Sequence, residues 1–153
     1  MNPEAAANPP TTFELDRFVT AQEGVYEGAL REIRRGRKIG HWMWFVFPQI
    51  AGLGSSPMSQ RYAIASLDEA RAYLAHPLLG ARLRDSAAAV LATSGLTADD
   101  IFGPIDARKL RSSMTLFHRA APGDPPFGRV IERLYDGVAD AATDERLAQQ
   151  SGR

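Results

Sequence analysis

Nine consecutive residues, HWMWFVFPQ from His41 to Gln49, hold both tryptophans of the chain, two of its seven phenylalanines, a methionine and a valine. Large apolar side chains at this density belong in a core, so whatever the chain folds into must be organised around this segment. Glycine at position 40 and proline at position 48 bound the apolar run, which is too short for periodicity to decide between helix and strand. A lone strand would leave its backbone groups without partners, and no other stretch alternates like a hairpin mate. The run is therefore expected as a buried helix or an extended core segment, with Trp44 among its buried members.

Helical patterns fill most of the rest. Phe18, Val25, Tyr26, Ala29, Leu30 and Ile33 keep helical spacing, with Gly24 as a break between two helices. Ser66 followed by Glu69 makes a capping-box pattern ahead of LDEARAYLA. His76-Pro77 ends that helix, and a second starts at Pro77, where the missing N–H costs nothing. Thr97 and Asp100 repeat the capping pattern before a short turn. In the helix from Ile105 onward, Ala107, Leu110, Met114 and Phe117 share one face. Residues 127–135 and a segment after Thr143 complete an all-α fold of about six to eight short helices. Residues 1–12 read as a flexible leader and 13–150 as one all-helical domain, a suitable size for one core among 153 residues.

Lysine plus arginine equals aspartate plus glutamate at 18 each, so no global field draws the molecule to nucleic acid or membrane. Any charged partner must meet a local patch. The absence of cysteine excludes disulfides, thiol nucleophiles and Cys-ligated metals, and His41, His76 and His118 lack zinc spacing. No metal and no cofactor is expected. The first twelve residues have neither the basic start nor the apolar stretch of a secretory signal, so a cytoplasmic protein is the expectation.

A polar set remains that the core does not explain. His41 and Gln49 stand at the two ends of the aromatic run and need hydrogen-bond partners if buried, which favours the rim of a cavity. His41 is the candidate acid/base there, Trp42 a stacking wall, and Gln49 and Tyr62 orienting hydrogen-bonders. GLGSSPMSQRY, residues 52–62, has no Gly-Lys-Ser/Thr ending and is not a P-loop, but Ser59, Arg61 and Tyr62 can fix an anion or a sugar. Asp106, Lys109 and Ser113 follow an i, i+3, i+7 line at the border of an apolar helix face, pointing at whatever the core encloses. Asp106 is placed to hold or activate another group, and Lys38, Arg61 and Lys109 to contact an anion. His118 reads as a surface cap near a helix end, and His76 as a helix junction.

Long stretches of the chain, FVTAQEGVYEGALREIRRGRKIGHWMWFVFPQIAGLGSSPMSQRYAIASLDEARAYLAHPLLGARL and IFGPIDARKLRSSMTLF, closely resemble the bacterial domain-of-unknown-function 1810 family. The resemblance runs from Phe13 to about Tyr135 and implies a compact all-helical fold with no established activity. Some members carry the label calpastatin. True calpastatins resemble disordered segments that fold on a protease, whereas this chain is helix-patterned throughout, and the label is set aside.

The leading expectation is a polar-lined pocket for an anionic small molecule of nucleotide or sugar-phosphate type, with hydrolysis as a further capability. Two rivals make different demands. A protein-interaction module needs Trp42 or Trp44 exposed in a contiguous patch. Nucleic-acid binding needs the Arg31 to Lys38 basic run with a neighbouring tryptophan as stacking platform, against a neutral overall charge. If Arg31, Arg34 and Arg35 form a solvated helix face, changing all three to Gln leaves the fold within about 0.5 kcal/mol of the parent and pocket affinity nearly unchanged. Urea denaturation and ligand titration of the triple variant check this.

Overall fold

The computed structural model describes residues 13–151, and within them the protein is all-helical. The leader expected over residues 1–12 lies outside the described residues. Nine helices follow in order: α1 Asp16–Gln22, α2 Tyr26–Arg34, α3 Met43–Val46, α4 Pro57–Arg61, α5 Leu67–Ala75, α6 Pro77–Ala92, α7 Ala98–Ala120, α8 Pro125–Leu134 and α9 Ala141–Ser151. The count exceeds the expected six to eight because two short stretches that read as non-helical or undecided, 43–46 and 57–61, each close a helical turn. For α4 the cause is local. Ser56 Oγ accepts the Ser59 N–H at 3.1 Å, and Pro57 supplies a pre-set φ at the first helical position.

The capping patterns hold with one shift. Thr97 and Asp100 form a reciprocal box at the start of α7. At α5, Ser66 Oγ accepts the Glu69 N–H, but the Glu69 carboxylate reaches one residue further back, to the Ala65 N–H at 2.7 Å. Its other oxygen meets Arg17 at 3.1 Å, and Arg17 also donates to the carbonyls of Arg61 and Ala63. One guanidinium thus fastens α1 to the end of α4 and the start of α5. His76 caps α6, its Nδ1 accepting the N–H groups of Leu78 and Leu79, which bears out the junction.

α7 is the central element, packing against α5, α8 and α9. Ala107, Leu110, Met114 and Phe117 are all buried, as their shared face requires. Ser112, Ser113, Thr115 and Leu116 are buried too, so this helix is enclosed nearly all round past its midpoint. Gly103 breaks it at φ 79°, ψ 159°, a region open in practice only to glycine, and Pro104 restarts it. His118 is half-buried rather than a surface cap. A Cβ on Gly128 of α8 would lie 2.9 Å from its Cε1, so the imidazole occupies the space that a missing side chain leaves.

The aromatic run resolves the choice between helix and extended chain by being both. Only Met43–Val46 is helical, and four residues cannot form a two-sided amphipathic pattern. Trp42 and Phe47, at its ends, join Phe102 in one cluster with ring centroids 6.0–6.4 Å apart. Phe45 points into another, with Tyr62, which leads through Phe18 and Tyr73 to Phe117. Buried Gln22 donates to the Phe45 carbonyl at 2.7 Å and so satisfies a group this short helix leaves open. Just beyond the run, one isolated parallel bridge joins Ile50 and Ile64.

Trp42 is 2% exposed, whereas Trp44, expected in the core, is only partly buried against it. Trp42→Ala is therefore predicted to cost about 3–5 kcal/mol and Trp44→Ala clearly less, as read by urea denaturation. Equal losses would show that Trp44 carries as much of the core as Trp42.

Candidate functional site

The geometry starts from a carboxylate. Glu32 sits in the last turns of α2 as the one acid among Arg31, Arg34, Arg35, Arg37 and Lys38. Gly36, at φ 82°, reverses the chain after the helix, so residues 37–42 fold back across its end. Glu32 Oε1 then accepts three donors: the Ile39 N–H at 2.7 Å, the Gly40 N–H at 2.9 Å and the Trp42 indole N–H at 2.9 Å. Burial pushes this carboxyl up. Those donors, with the Lys38 ammonium nearby, outweigh it and hold the carboxyl below the usual glutamate value.

Lys38 is fixed in the same fold-back. Its N–H donates to the Ile101 carbonyl at 2.7 Å, in the short turn before the Gly103 break. Its ammonium donates to the Gly40 carbonyl, pairs with Asp106 at 2.8 Å and lies 4.9 Å from the Trp42 ring. With 7% of its side chain exposed, Lys38 is a structural cation rather than one that swings toward an anion. Asp106 also faces Lys109, at 3.6 Å, and the Lys109 ammonium lies 5.0 Å from the centre of the Trp44 ring. Glu32, Lys38, Asp106 and Lys109 make a chain of alternating charge that ends on Trp44.

Trp44 is also one wall of a hollow of about 170 Å³. Gln49, Ser59, Gln60, Tyr62, Ala63 and residues 50–54 complete its lining, and none of these side chains is charged. The Ile50–Ile64 bridge holds its two sides together through the Ala51 and Ile64 N–H groups, each at 2.8 Å from its acceptor. Cations nevertheless lie against three lining residues. Lys109 is over Trp44, Arg61 has its guanidinium carbon 5.6 Å from the Tyr62 ring centre, and Arg146 of α9 packs on Gly52. A Cβ on Gly52 would sit 2.3 Å from that guanidinium, which also donates to the Ala51 carbonyl.

The structure thus brings Gln49, Ser59 and Tyr62 together at one hollow and connects Lys109, and through it Asp106 and Lys38, by way of Trp44. His41 is exposed and is not part of the lining. Ser113 is fully buried inside α7, its hydroxyl without a hydrogen-bond partner. Trp42 is no stacking wall, because burial and the Glu32 bond use its ring and its N–H. The exposed-tryptophan surface that an interaction module required is likewise missing among the described residues. Sequence reasoning passed over Glu32, Gln22 and Arg146. For Glu32 a signal existed: a lone acid at the end of a basic helix has a local field to answer. No group of three or more His, Asp or Glu side chains among the described residues is placed to hold a metal ion.

A family model described as protein of unknown function (DUF1810) matches residues 12–147. The chain belongs to this family. No curated protein matches this DUF1810 chain. Its fold is similar to a solved crystal structure, the conserved hypothetical protein Rv1873 from Mycobacterium tuberculosis, with 51% sequence identity and a TM-score of 0.88. That likeness covers 89% of this DUF1810 chain and 97% of the mycobacterial one.

The Glu32 contacts generate a pH prediction. Because its folded-state pKa is lowered, the stability it contributes is present above the ordinary glutamate value and disappears as pH falls through the lowered one. Glu32→Gln is expected to be less stable than the parent at neutral pH and to converge toward it in acid. Urea denaturation across that range decides it, and a pH-independent gap between the two proteins contradicts the linkage.

Proposed function

We propose that this protein binds a small anionic molecule of nucleotide or sugar-phosphate type at the Trp44 hollow, in a cytoplasmic setting. The observation that carries the reading is the pairing of an uncharged lining with three cations set against it, Lys109, Arg61 and Arg146. Size adds a constraint. About 170 Å³ is less than the roughly 300–1,000 Å³ that encloses a drug-sized ligand, so the hollow takes one ring or sugar and leaves the anionic group at the rim. Trp44 and Tyr62 offer aromatic faces to the neutral part, and Gln49, Gln60 and Ser59 offer hydrogen bonds. Binding is better supported than hydrolysis, since His41 lies outside the lining and Asp106 is held between two lysines. No helix among the described residues is long and apolar enough to cross a membrane.

Thermal melting tests the proposal, with adenosine monophosphate, glucose 6-phosphate and inorganic phosphate as probes. A phosphate ester at a hundred times its dissociation constant is expected to raise the melting temperature by about 5–10 °C. The rise is expected to shrink in Lys109→Met and in Gln49→Ala, while Trp44 emission reports occupancy. An equal rise in parent and both variants places the binding elsewhere, and no rise with any ester removes the anionic-ligand reading.

A further inference from the structure

The two most exposed large apolar side chains among the described residues, Ile39 at 68% and Ile105 at 69%, are chain neighbours of the two ends of one ion pair. Ile39 follows Lys38 and Ile105 precedes Asp106, the Lys38 and Asp106 side chains meet at 2.8 Å, and the Lys38 N–H ties the loop to the Ile101 carbonyl of α7 at 2.7 Å. Single exposed aliphatics are ordinary on protein surfaces, but two that flank the same ion pair, one on the loop after α2 and one in α7, are not explained by the fold. The Ile39 N–H is bonded to Glu32 at 2.7 Å, so its exposure is not the result of a loose loop.

The chain on either side of them is rich in cations. Arg31, Arg34, Arg35 and Arg37 are exposed before Ile39, and Arg108 is exposed after Ile105. None of these five has a carboxylate partner among the described residues. The local acids Glu32 and Asp106 are already engaged, and exposed Asp99 and Asp100 precede the Gly103 break. A face with two aliphatic anchors and unpaired guanidinium groups is complementary to a segment that alternates carboxylates with aliphatic side chains. Two isoleucines cover too little area for a stable folded partner, so the fit is to a short linear segment. Single-stranded nucleic acid is disfavoured on a separate ground: it binds by stacking on exposed aromatic rings, and Trp42 is buried.

We infer that the Ile39–Ile105 face with its flanking arginines docks an acidic, aliphatic segment of another protein. Selection of a random-peptide display library against the full chain tests it. Enriched peptides are expected to combine Asp or Glu with Leu, Ile or Val. Their affinity is expected to fall about tenfold or more in Ile39→Ser/Ile105→Ser, to fall in Arg35→Gln/Arg37→Gln, and to weaken with added salt. Both variants change exposed side chains, and unchanged melting temperatures establish that they fold. The inference is overturned by no enrichment, by peptides lacking the acidic-aliphatic pattern, or by affinity that survives both variants. Tighter binding of oligothymidylate or of phosphatidylserine vesicles through the same residues also overturns it, in favour of a nucleic acid or a membrane.

Discussion

A carboxylate at the end of a helix full of arginines can point into solvent or be surrounded by donors, and Glu32 does the second. Three N–H groups converge on one of its oxygens, two from the returning backbone and one from an indole. Each charge-assisted bond of this kind is worth more than a neutral one, and all three depend on the same fold-back. The indole bond sets how Trp42 enters the core, and Trp42 in turn contacts Phe47 and Phe102. The backbone bonds fix where Lys38 leaves the loop, which selects Asp106 as its partner and ties α2 to α7. Remove the carboxylate and the aromatic cluster, the ion-pair chain and the path of residues 37–42 all lose a common anchor.

Much of the architecture is legible in the sequence because it depends on nearest neighbours. Capping residues, Pro77, Gly24 and the Ala107–Phe117 stripe act within a turn or two of chain, and the structure follows them. Sequence reasoning fails where distant contacts decide. Nothing local distinguishes Trp42 from Trp44; one is enclosed because Glu32 and Phe102 reach it, from opposite directions along the chain. Lys38 reads as a free cation because its partner, Asp106, is far away in sequence. The reach of Arg146 to Gly52 spans much of the domain, and no spacing rule announces it. Of the site residues chosen from sequence, Gln49, Ser59 and Tyr62 line one hollow because the Ile50–Ile64 bridge joins their two segments, a pairing that short apolar runs do not advertise.

Under the proposed function, the hollow separates two tasks that many anion sites combine. Its lining carries no charge, and the positive groups stand against aromatic and glycine surfaces of that lining. Lys109 faces Asp106 at 3.6 Å, which lowers the cost of keeping an ammonium on an indole face. A ligand with one polar ring and one charged end suits that division better than a bare ion or a fully apolar molecule.

The loop after α2 illustrates how a connection can be bonded as fully as a helix. From Gly36 to Gly40 five successive amides have acceptors: the carbonyls of Ile33, Glu32 and Ile101, and then the Glu32 carboxylate twice. Unprotected surface loops trade their amide protons with water almost at once, whereas these are released only when the loop leaves α2 and, for the Lys38 proton, the turn before Gly103. In hydrogen exchange the stretch is therefore expected to be protected like the folded core although no helix covers it. Its conformational entropy is given up when the chain folds, and a molecule that later settles on this surface meets a backbone with nothing left to order.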